Sequence, residues 1–216
     1  ALGPSGLEAL EATIAMIPDD IPVILDAKRC DIDATAEAYA TALFGRLGGD
    51  AVTLSPYMGR DAIDPFLKYR DKGVFVLART SNKSAGQFQD LAVSGSSERL
   101  FVKVARECAS WSESVGLVVA GNDIEGLSAV RSAAPRAWFL APGIGAQGGV
   151  ADEAFAAGSR EDGMGILIVA ARSVAGAADP GAAARELRDA AEKLDRPFHP
   201  RGAPRFRHLA RFPASG

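Results

Sequence analysis

Six short apolar runs, each followed by a stretch with helical character, constrain the fold of this 216-residue chain more than any other feature. The runs are continuously apolar rather than alternating, which is typical of strands that are buried on both faces of a sheet. They span residues 23–25, 51–54, 73–77, 115–119, 138–140 and 165–169, and the helical stretches span 34–47, 60–69, 98–111, 124–134, 151–157 and 180–194. This repeated alternation predicts an α/β domain with a parallel sheet, either a barrel or a doubly wound sheet.

Polar residues follow almost every apolar run directly, and this placement favours the barrel. In (β/α)8 enzymes the loops at the carboxyl ends of the strands carry the active site. The polar segments span 26–28, 55–57, 79–82, 121–123, 142–149 and 171–173. Asp26 and Lys28 lie two positions apart in the first segment, so strand geometry predicts that both side chains point to the same face. A solvated ion pair at a strand end is the simpler interpretation of these two residues taken alone.

The last two polar segments predict a phosphate-binding site, because the loops after strands 7 and 8 usually build that site in such barrels. Glycines within 142–149 allow backbone amides to approach an anion closely, and Gln147 can donate side-chain hydrogen bonds. Arg172 offers a planar guanidinium that matches the geometry of phosphate oxygens. A glycine-rich loop alone is more often a simple turn, and its pairing with Arg172 makes the signal stronger.

The segment Asp26-Ala27-Lys28-Arg29-Cys30-Asp31-Ile32, with Thr35 following, resembles the signature of the orotidine 5′-monophosphate (OMP) decarboxylase family. It is most similar to the branch whose motif reads Asp-Ala-Lys-Arg-Gly-Asp-Ile, with Cys30 at the position where that branch often carries glycine. Segments 55–61, 79–82, 142–149 and 172–173 also resemble loops of this branch, and they occur in the same order. The resemblance covers roughly residues 5–190, and several motifs in the right order make chance agreement improbable.

This resemblance implies a TIM-type (β/α)8 barrel that converts OMP to UMP and CO2 in de novo pyrimidine biosynthesis. Lys28, flanked by Asp26 and Asp31, would stabilise the carbanion at C6 and protonate it. The substrate-binding residues implied by the resemblance are Ile32, Thr35, Ser81, Pro142, Gln147, Gly148 and Arg172. The chemistry implied for this family requires no metal ion, flavin, pyridoxal or other cofactor.

The resemblance also implies partners and a location. The family forms homodimers with shared active sites, so Asp31, Ile32 and Thr35 would complete the site of the neighbouring subunit. In some relatives the decarboxylase is fused to orotate phosphoribosyltransferase. A cytoplasmic location is expected, and the two cysteines, which lack metal-ligand or Cys-x-x-Cys spacing, suit a reducing compartment.

The N-terminal residues depart from the family pattern. The family barrel begins with two strands that supply an Asp and a Lys to the active site, whereas Ala1-Leu2-Gly3-Pro4 resembles the start of the helix after the second strand. We therefore expect residues 1–195 to form a decarboxylase barrel domain that lacks its first two strands, as in a fragment, an incomplete gene model or a decayed copy. Residues 196–216 are rich in Arg and Pro, and we expect them to form a tail or linker.

Composition excludes several other classes of function. The formal net charge of −3 gives no nucleic-acid signature, and charged residues interrupt every apolar run well before the length that a membrane span requires. His199 and His208 both lie in the basic tail, which excludes a histidine-based triad within the domain.

Two alternatives remain open at this point. The first is a magnesium-dependent sugar-phosphate lyase of the same wider group, which shares the Asp-x-Lys-x-x-Asp strand. Against it, the sequence offers no evident additional acidic ligand, and the loop with Ser81 suits a pyrimidine. The second is a catalytically incomplete nucleotide-binding or scaffold domain.

Overall fold

The computed structural model describes residues 2–145 and 147–192, which divide into two compact units. The first unit runs to Val74 and the second begins at Phe75, within a strand. The sequence-predicted tail at 196–216 lies outside the described residues.

Each predicted apolar run coincides with or overlaps an observed strand. The strands are β1 (Ile24–Arg29), β2 (Ala51–Leu54), β3 (Gly73–Arg79), β4 (Val115–Val119), β5 (Phe139–Pro142) and β6 (Ile166–Val169). Hydrogen bonds join them in the order β1-β2-β3-β4-β5-β6, and the β1–β2, β4–β5 and β5–β6 pairs are parallel. Parallel neighbours need a crossover connection, and the helices lie in these crossovers. The predicted parallel α/β architecture is confirmed.

The helices match the predicted stretches less closely than the strands do. They are α1 (Gly3–Ala15), α2 (Asp33–Ala40), α3 (Asp64–Leu67), α4 (Gly86–Gln89), α5 (Leu100–Ala109), α6 (Ile124–Ala133), α7 (Ala151–Gly158), α8 (Arg172–Ala175) and α9 (Pro180–Glu192). The predicted helix at 60–69 is instead a 3₁₀ turn at Arg60–Ala62 followed by the short α3. Pro65 has no amide proton to donate, so it fits the first turn of a new helix rather than the middle of a longer one.

The predicted helix at 34–47 changes its hydrogen bonding part of the way along. After α2 the chain forms a π-helical turn at Thr41–Arg46, where Leu47 N donates to Ala42 O, five residues earlier. This wider turn still directs Phe44 into the core, where its ring packs edge-on against Phe66 at 6.1 Å. Apolar periodicity does not distinguish the two kinds of turn, because both bury one face of the helix.

Arg131 connects several backbone carbonyls at the end of the second unit that faces away from the strand carboxyl termini. Its guanidinium donates to the carbonyl oxygens of Gly158, Gly165 and Ala137 at 2.6 to 2.9 Å and lies 3.7 Å from the centre of the Phe139 ring. Burial lowers the pKa of Arg131 to about 10, so the group is still charged at neutral pH. In barrels this end of the sheet contributes to stability rather than catalysis.

We expect Arg131→Met to lower the free energy of unfolding by about 3 kcal/mol, because each buried carbonyl that loses its partner costs on the order of 1 to 3 kcal/mol. Chemical denaturation measures the change. The matched control is Arg106→Met, since Arg106 is exposed and pairs with the carboxylate of Glu98; a loss of about 1 kcal/mol or less is expected there. Equal losses in the two variants would contradict a stabilising role for the carbonyl contacts of Arg131.

Candidate active site

Asp26 and Lys28 meet at the carboxyl end of β1. Lys28 Nζ lies 2.5 Å from both oxygens of the Asp26 carboxylate. The register between β1 and β2 is irregular between Leu25 and Arg29, and Lys28 itself has a φ of 46°. A left-handed backbone is uncommon for a non-glycine residue and often marks a functional position. The pair is open to solvent, with side-chain exposures of 51% for Lys28 and 62% for Asp26.

Thr53 on β2 contacts both members of this pair, and the sequence analysis did not identify it as a site residue. Lys28 N donates to Thr53 Oγ1 at 3.0 Å, and Thr53 Oγ1 donates to Asp26 Oδ1 at 2.8 Å. The sequence signal was the hydroxyl of Thr53 among the apolar residues of 51–54. A polar group in a buried strand requires a partner, and here the partners belong to the neighbouring strand.

The electrostatics of Asp26 favour its charged form. Burial of the carboxyl group raises its pKa, but hydrogen bonds from Lys28 and Thr53, together with the positive charge of Lys28, outweigh this effect. The net result is an Asp26 pKa below its ordinary value. Asp26 is therefore a carboxylate at neutral pH, and it can hold the Lys28 ammonium in place.

Asp31, Ile32 and Thr35 lie beyond the end of β1, around the start of α2. Asp31 Oδ1 accepts a hydrogen bond from Ile32 N at 2.9 Å. The side chains of Ile32 and Thr35 are exposed. Within the described residues, Asp31 forms no ion pair with Lys28 of its own chain, so the structure does not bring these two predicted catalytic residues together.

In the second unit, Ser81 and Gln147 come from different loops and meet. Ser81 Oγ donates to Gln147 Oε1 at 3.4 Å, and Asn122 Nδ2 donates to Gln147 O at 3.3 Å. Gly143 has a φ of 99°, and a Cβ atom there would lie 3.0 Å from Asn122 Oδ1. The loops after β3, β4 and β5 therefore converge at their strand ends. Asn122 was not predicted as a site residue, because its amide carries no motif of its own.

Arg79 fixes the base of two of these loops. Its Nε donates to Asp123 Oδ2 at 2.7 Å, and its Nη1 lies 2.8 Å from Asp90 Oδ1. Asp123 Oδ1 also accepts a hydrogen bond from Gly126 N and so caps α6. This ion-pair network links Arg79, which precedes Thr80 and Ser81, to Asp123, which follows Asn122. It was not predicted either, since the three charged residues are far apart in the sequence.

The remaining predicted phosphate residues lie on adjacent strand ends. Arg172 is exposed and begins α8, and Gly148 is exposed with a φ of 90°. Pro142 ends β5, where its carbonyl oxygen accepts a hydrogen bond from Gly121 N at 2.6 Å. Within the described residues, the Arg172 side chain makes no hydrogen bond to Gln147. The glycine-rich loop does approach the start of α8, since a Cβ atom at Gly145 would lie 2.9 Å from Ser173 Oγ.

The described residues show neither a candidate metal-binding cluster nor a candidate membrane-spanning helix. Across residues 2–145 and 147–192, no group of three or more His, Cys, Asp or Glu side chains is arranged to hold a metal ion. In the same part of the chain, no helix has both the length and the apolarity needed to cross a membrane.

Comparison with known proteins gives one consistent result. The family model for orotidine 5′-phosphate decarboxylase / HUMPS matches residues 5–187. An orotidine 5′-phosphate decarboxylase of Thermomicrobium roseum is 44% identical over 202 residues, which cover 89% of this chain and 72% of the relative.

Solved structures agree with the sequence comparison. The OMP decarboxylase of Leishmania donovani has a TM-score of 0.83 at 46% identity and is matched over 88% of this chain and 75% of its own. The UMP synthase of the same organism has a TM-score of 0.85 at 48% identity, over 88% of this chain and 43% of its own. These similarities confirm the predicted TIM-barrel type of fold. The chain belongs to the orotidine 5′-phosphate decarboxylase / HUMPS family.

Proposed function

We propose that this protein is an OMP decarboxylase, a carboxy-lyase that converts OMP to UMP and CO2 in pyrimidine biosynthesis. The observation that supports this most directly is the Lys28 ammonium held by the Asp26 carboxylate, at the position of the family motif. The relatives named above, orotidine 5′-phosphate decarboxylases and a UMP synthase, are consistent with it.

The reaction needs positive charge and a proton at one carbon atom. When the bond between C6 and the carboxylate breaks, CO2 leaves and the electron pair remains on C6 as a vinyl carbanion with little resonance stabilisation. Lys28 Nζ stabilises that charge and then transfers a proton to C6, which leaves a neutral amine. At about 4 Å and an effective dielectric of about 20, one such charge contact contributes roughly 4 kcal/mol. That corresponds to about three decades in rate.

We assign the substrate contacts by the same resemblance, residue by residue. Ser81 reads the edge of the pyrimidine, while Gln147, Gly148 and Arg172 bind the phosphate and Pro142 contacts the substrate. The close approach of Ser81 to Gln147 supports a shared role for their two loops. Arg172 is suited to phosphate because its guanidinium is exposed and presents a planar set of donors.

We further propose that the protein is a cytoplasmic homodimer in which Asp31, Ile32 and Thr35 complete the site of the neighbouring subunit. Two observations support this arrangement: Ile32 and Thr35 are exposed, and within the described residues Asp31 forms no ion pair with Lys28. The similarity to a UMP synthase makes fusion to orotate phosphoribosyltransferase a further proposal. In this view residues 1–195 belong to the decarboxylase domain and residues 196–216 form a tail or linker.

The proposed function predicts release of CO2 and formation of UMP from OMP in the presence of EDTA. Activity in the chelator distinguishes the decarboxylase from the magnesium-dependent sugar-phosphate lyase, which would require the added metal. The assay follows the loss of OMP absorbance, and the control substrate is a sugar phosphate without a base. Turnover of the sugar phosphate that depends on Mg²⁺, with no reaction of OMP, would replace the proposed function with the lyase. Binding of UMP without turnover of either substrate would favour the scaffold alternative.

A further inference from the structure

Thr53 places one buried hydroxyl between the backbone of Lys28 and the carboxylate of Asp26. Thr53 is only 1% exposed, and the other residues of its strand are apolar and buried. The hydroxyl accepts from Lys28 N and donates to Asp26 Oδ1, so its donor and one acceptor position are both used. A buried hydroxyl costs free energy unless it is hydrogen-bonded, and both of these bonds are directed at the Asp26–Lys28 pair.

The backbone of Lys28 depends on this contact. A φ of 46° places the backbone of Lys28 in the left-handed region, which residues other than Gly, Asn and Asp rarely adopt. Such a conformation persists only where surrounding contacts hold it. Lys28 lies in the register irregularity between β1 and β2, and its backbone N donates to the side-chain oxygen Thr53 Oγ1.

We propose that Thr53 is a positioning residue for the decarboxylation, because its hydroxyl fixes both the backbone of Lys28 and the carboxylate that holds the Lys28 ammonium. The inference rests on the proposed function and adds a residue to it. Thr53 exchanges no proton with the substrate. It acts through Lys28 and Asp26, so its effect belongs to the chemical step rather than to nucleotide binding.

The expected result of Thr53→Val is a fall in kcat of about 10-fold to 100-fold, since small displacements of a reacting group cost up to about two decades in rate. Valine has nearly the same shape as threonine and replaces the hydroxyl with a methyl group, which can neither donate nor accept these two hydrogen bonds. The equilibrium affinity for UMP should change by less than about threefold, because an interaction made only in the chemical step lowers kcat and leaves binding in place. A purely structural role would lower the melting temperature without this separation of kcat from affinity.

Two further variants sharpen the experiment. Thr53→Ser retains the hydroxyl and should restore kcat to within about threefold of the wild type, because its oxygen can make the same two hydrogen bonds. Thr41→Val is the matched control: the Thr41 hydroxyl contacts Tyr69 OH at 3.4 Å and touches neither Asp26 nor Lys28. It should leave kcat unchanged.

A second matched pair covers the case in which Thr53→Val does not fold. Thr53→Ser and Thr53→Ala differ only in the hydroxyl, so a kcat for Ser at least about 10-fold above that for Ala supports the inference. Equal kcat values for either matched pair, Thr and Val or Ser and Ala, would overturn it. The full-length wild-type gene product is assayed first on OMP: an inactive full-length wild type overturns the proposed function and this inference with it. An active wild type together with an equally active Thr53→Val overturns the inference alone.

Discussion

In the full-length protein, Lys28→Ala is expected to lower turnover of OMP by about three decades or more, because it removes both the charge that stabilises the C6 carbanion and the proton that quenches it. Equilibrium binding of UMP should change by less than about threefold, since UMP has no carboxylate at C6 for the ammonium to contact. Single-turnover kinetics and UMP titration measure the two quantities separately. The contacts give the reason for this separation: Lys28 Nζ pairs with the carboxylate oxygens of Asp26, whereas Ser81 and Gln147, to which base and phosphate binding are assigned, contact each other.

Lys68→Ala provides the matched control for this experiment. Lys68 is also an exposed lysine in the first unit whose ammonium pairs with a carboxylate, that of Glu37. Its removal should leave kcat unchanged, because exposed ion pairs of this kind contribute little. Lys28→Arg extends the test, since a guanidinium keeps the charge and resists deprotonation. Lys28→Arg should be inactive if proton donation is required. Turnover by Lys28→Ala at a rate close to that of the wild type would show that Lys28 has no part in the mechanism.

The sequence was sufficient for the strands and for the positions of the polar residues at their ends. Buried parallel strands are marked by continuous apolar runs, and these runs predicted the six strands of the described residues to within a few residues. Strand periodicity also predicted that the side chains of Asp26 and Lys28 point to the same face, and in the structure the two side chains form an ion pair. The backbone at this contact is not that of a regular strand, however. Lys28 has a left-handed conformation and lies where the register between β1 and β2 is irregular. Local sequence propensity does not predict this left-handed backbone, because it depends on contacts with the neighbouring strand.

Contacts between residues that are distant along the chain could not be predicted from the sequence alone. Thr53 is a strand residue of ordinary composition, and only the register of β1 against β2 gives its hydroxyl a role. Likewise, Arg79 was predicted only as part of a polar loop, whereas the structure pairs it with Asp90 and Asp123. Pairwise contacts of this kind depend on which loops converge, and a single sequence does not encode that convergence in any local pattern.

The location of Asp31 leads to the second large expected effect, which concerns the proposed dimer. Lys28→Ala and Asp31→Ala should each be inactive alone, and mixing them under conditions of subunit exchange should restore activity. If Asp31 serves the neighbouring subunit, the heterodimer has one site with an intact Asp26, Lys28 and Asp31, and its other site lacks two of these groups. Equal amounts exchanged at random give about half heterodimers, so the mixture should recover about a quarter of wild-type activity.

The structure offers a control that distinguishes exchange from simple addition of weak activities. Asp26 pairs with Lys28 of its own chain, so a mixture of Lys28→Ala and Asp26→Ala subunits contains no intact site in any dimer. That mixture should remain inactive while the Lys28→Ala and Asp31→Ala mixture recovers. Subunit exchange is followed by mass spectrometry with one variant isotopically labelled. Proven exchange without recovery in the first mixture would mean that Asp31 acts within its own chain. In that case Asp31 would have to move toward Lys28 when substrate binds, because the described structure forms no ion pair between them.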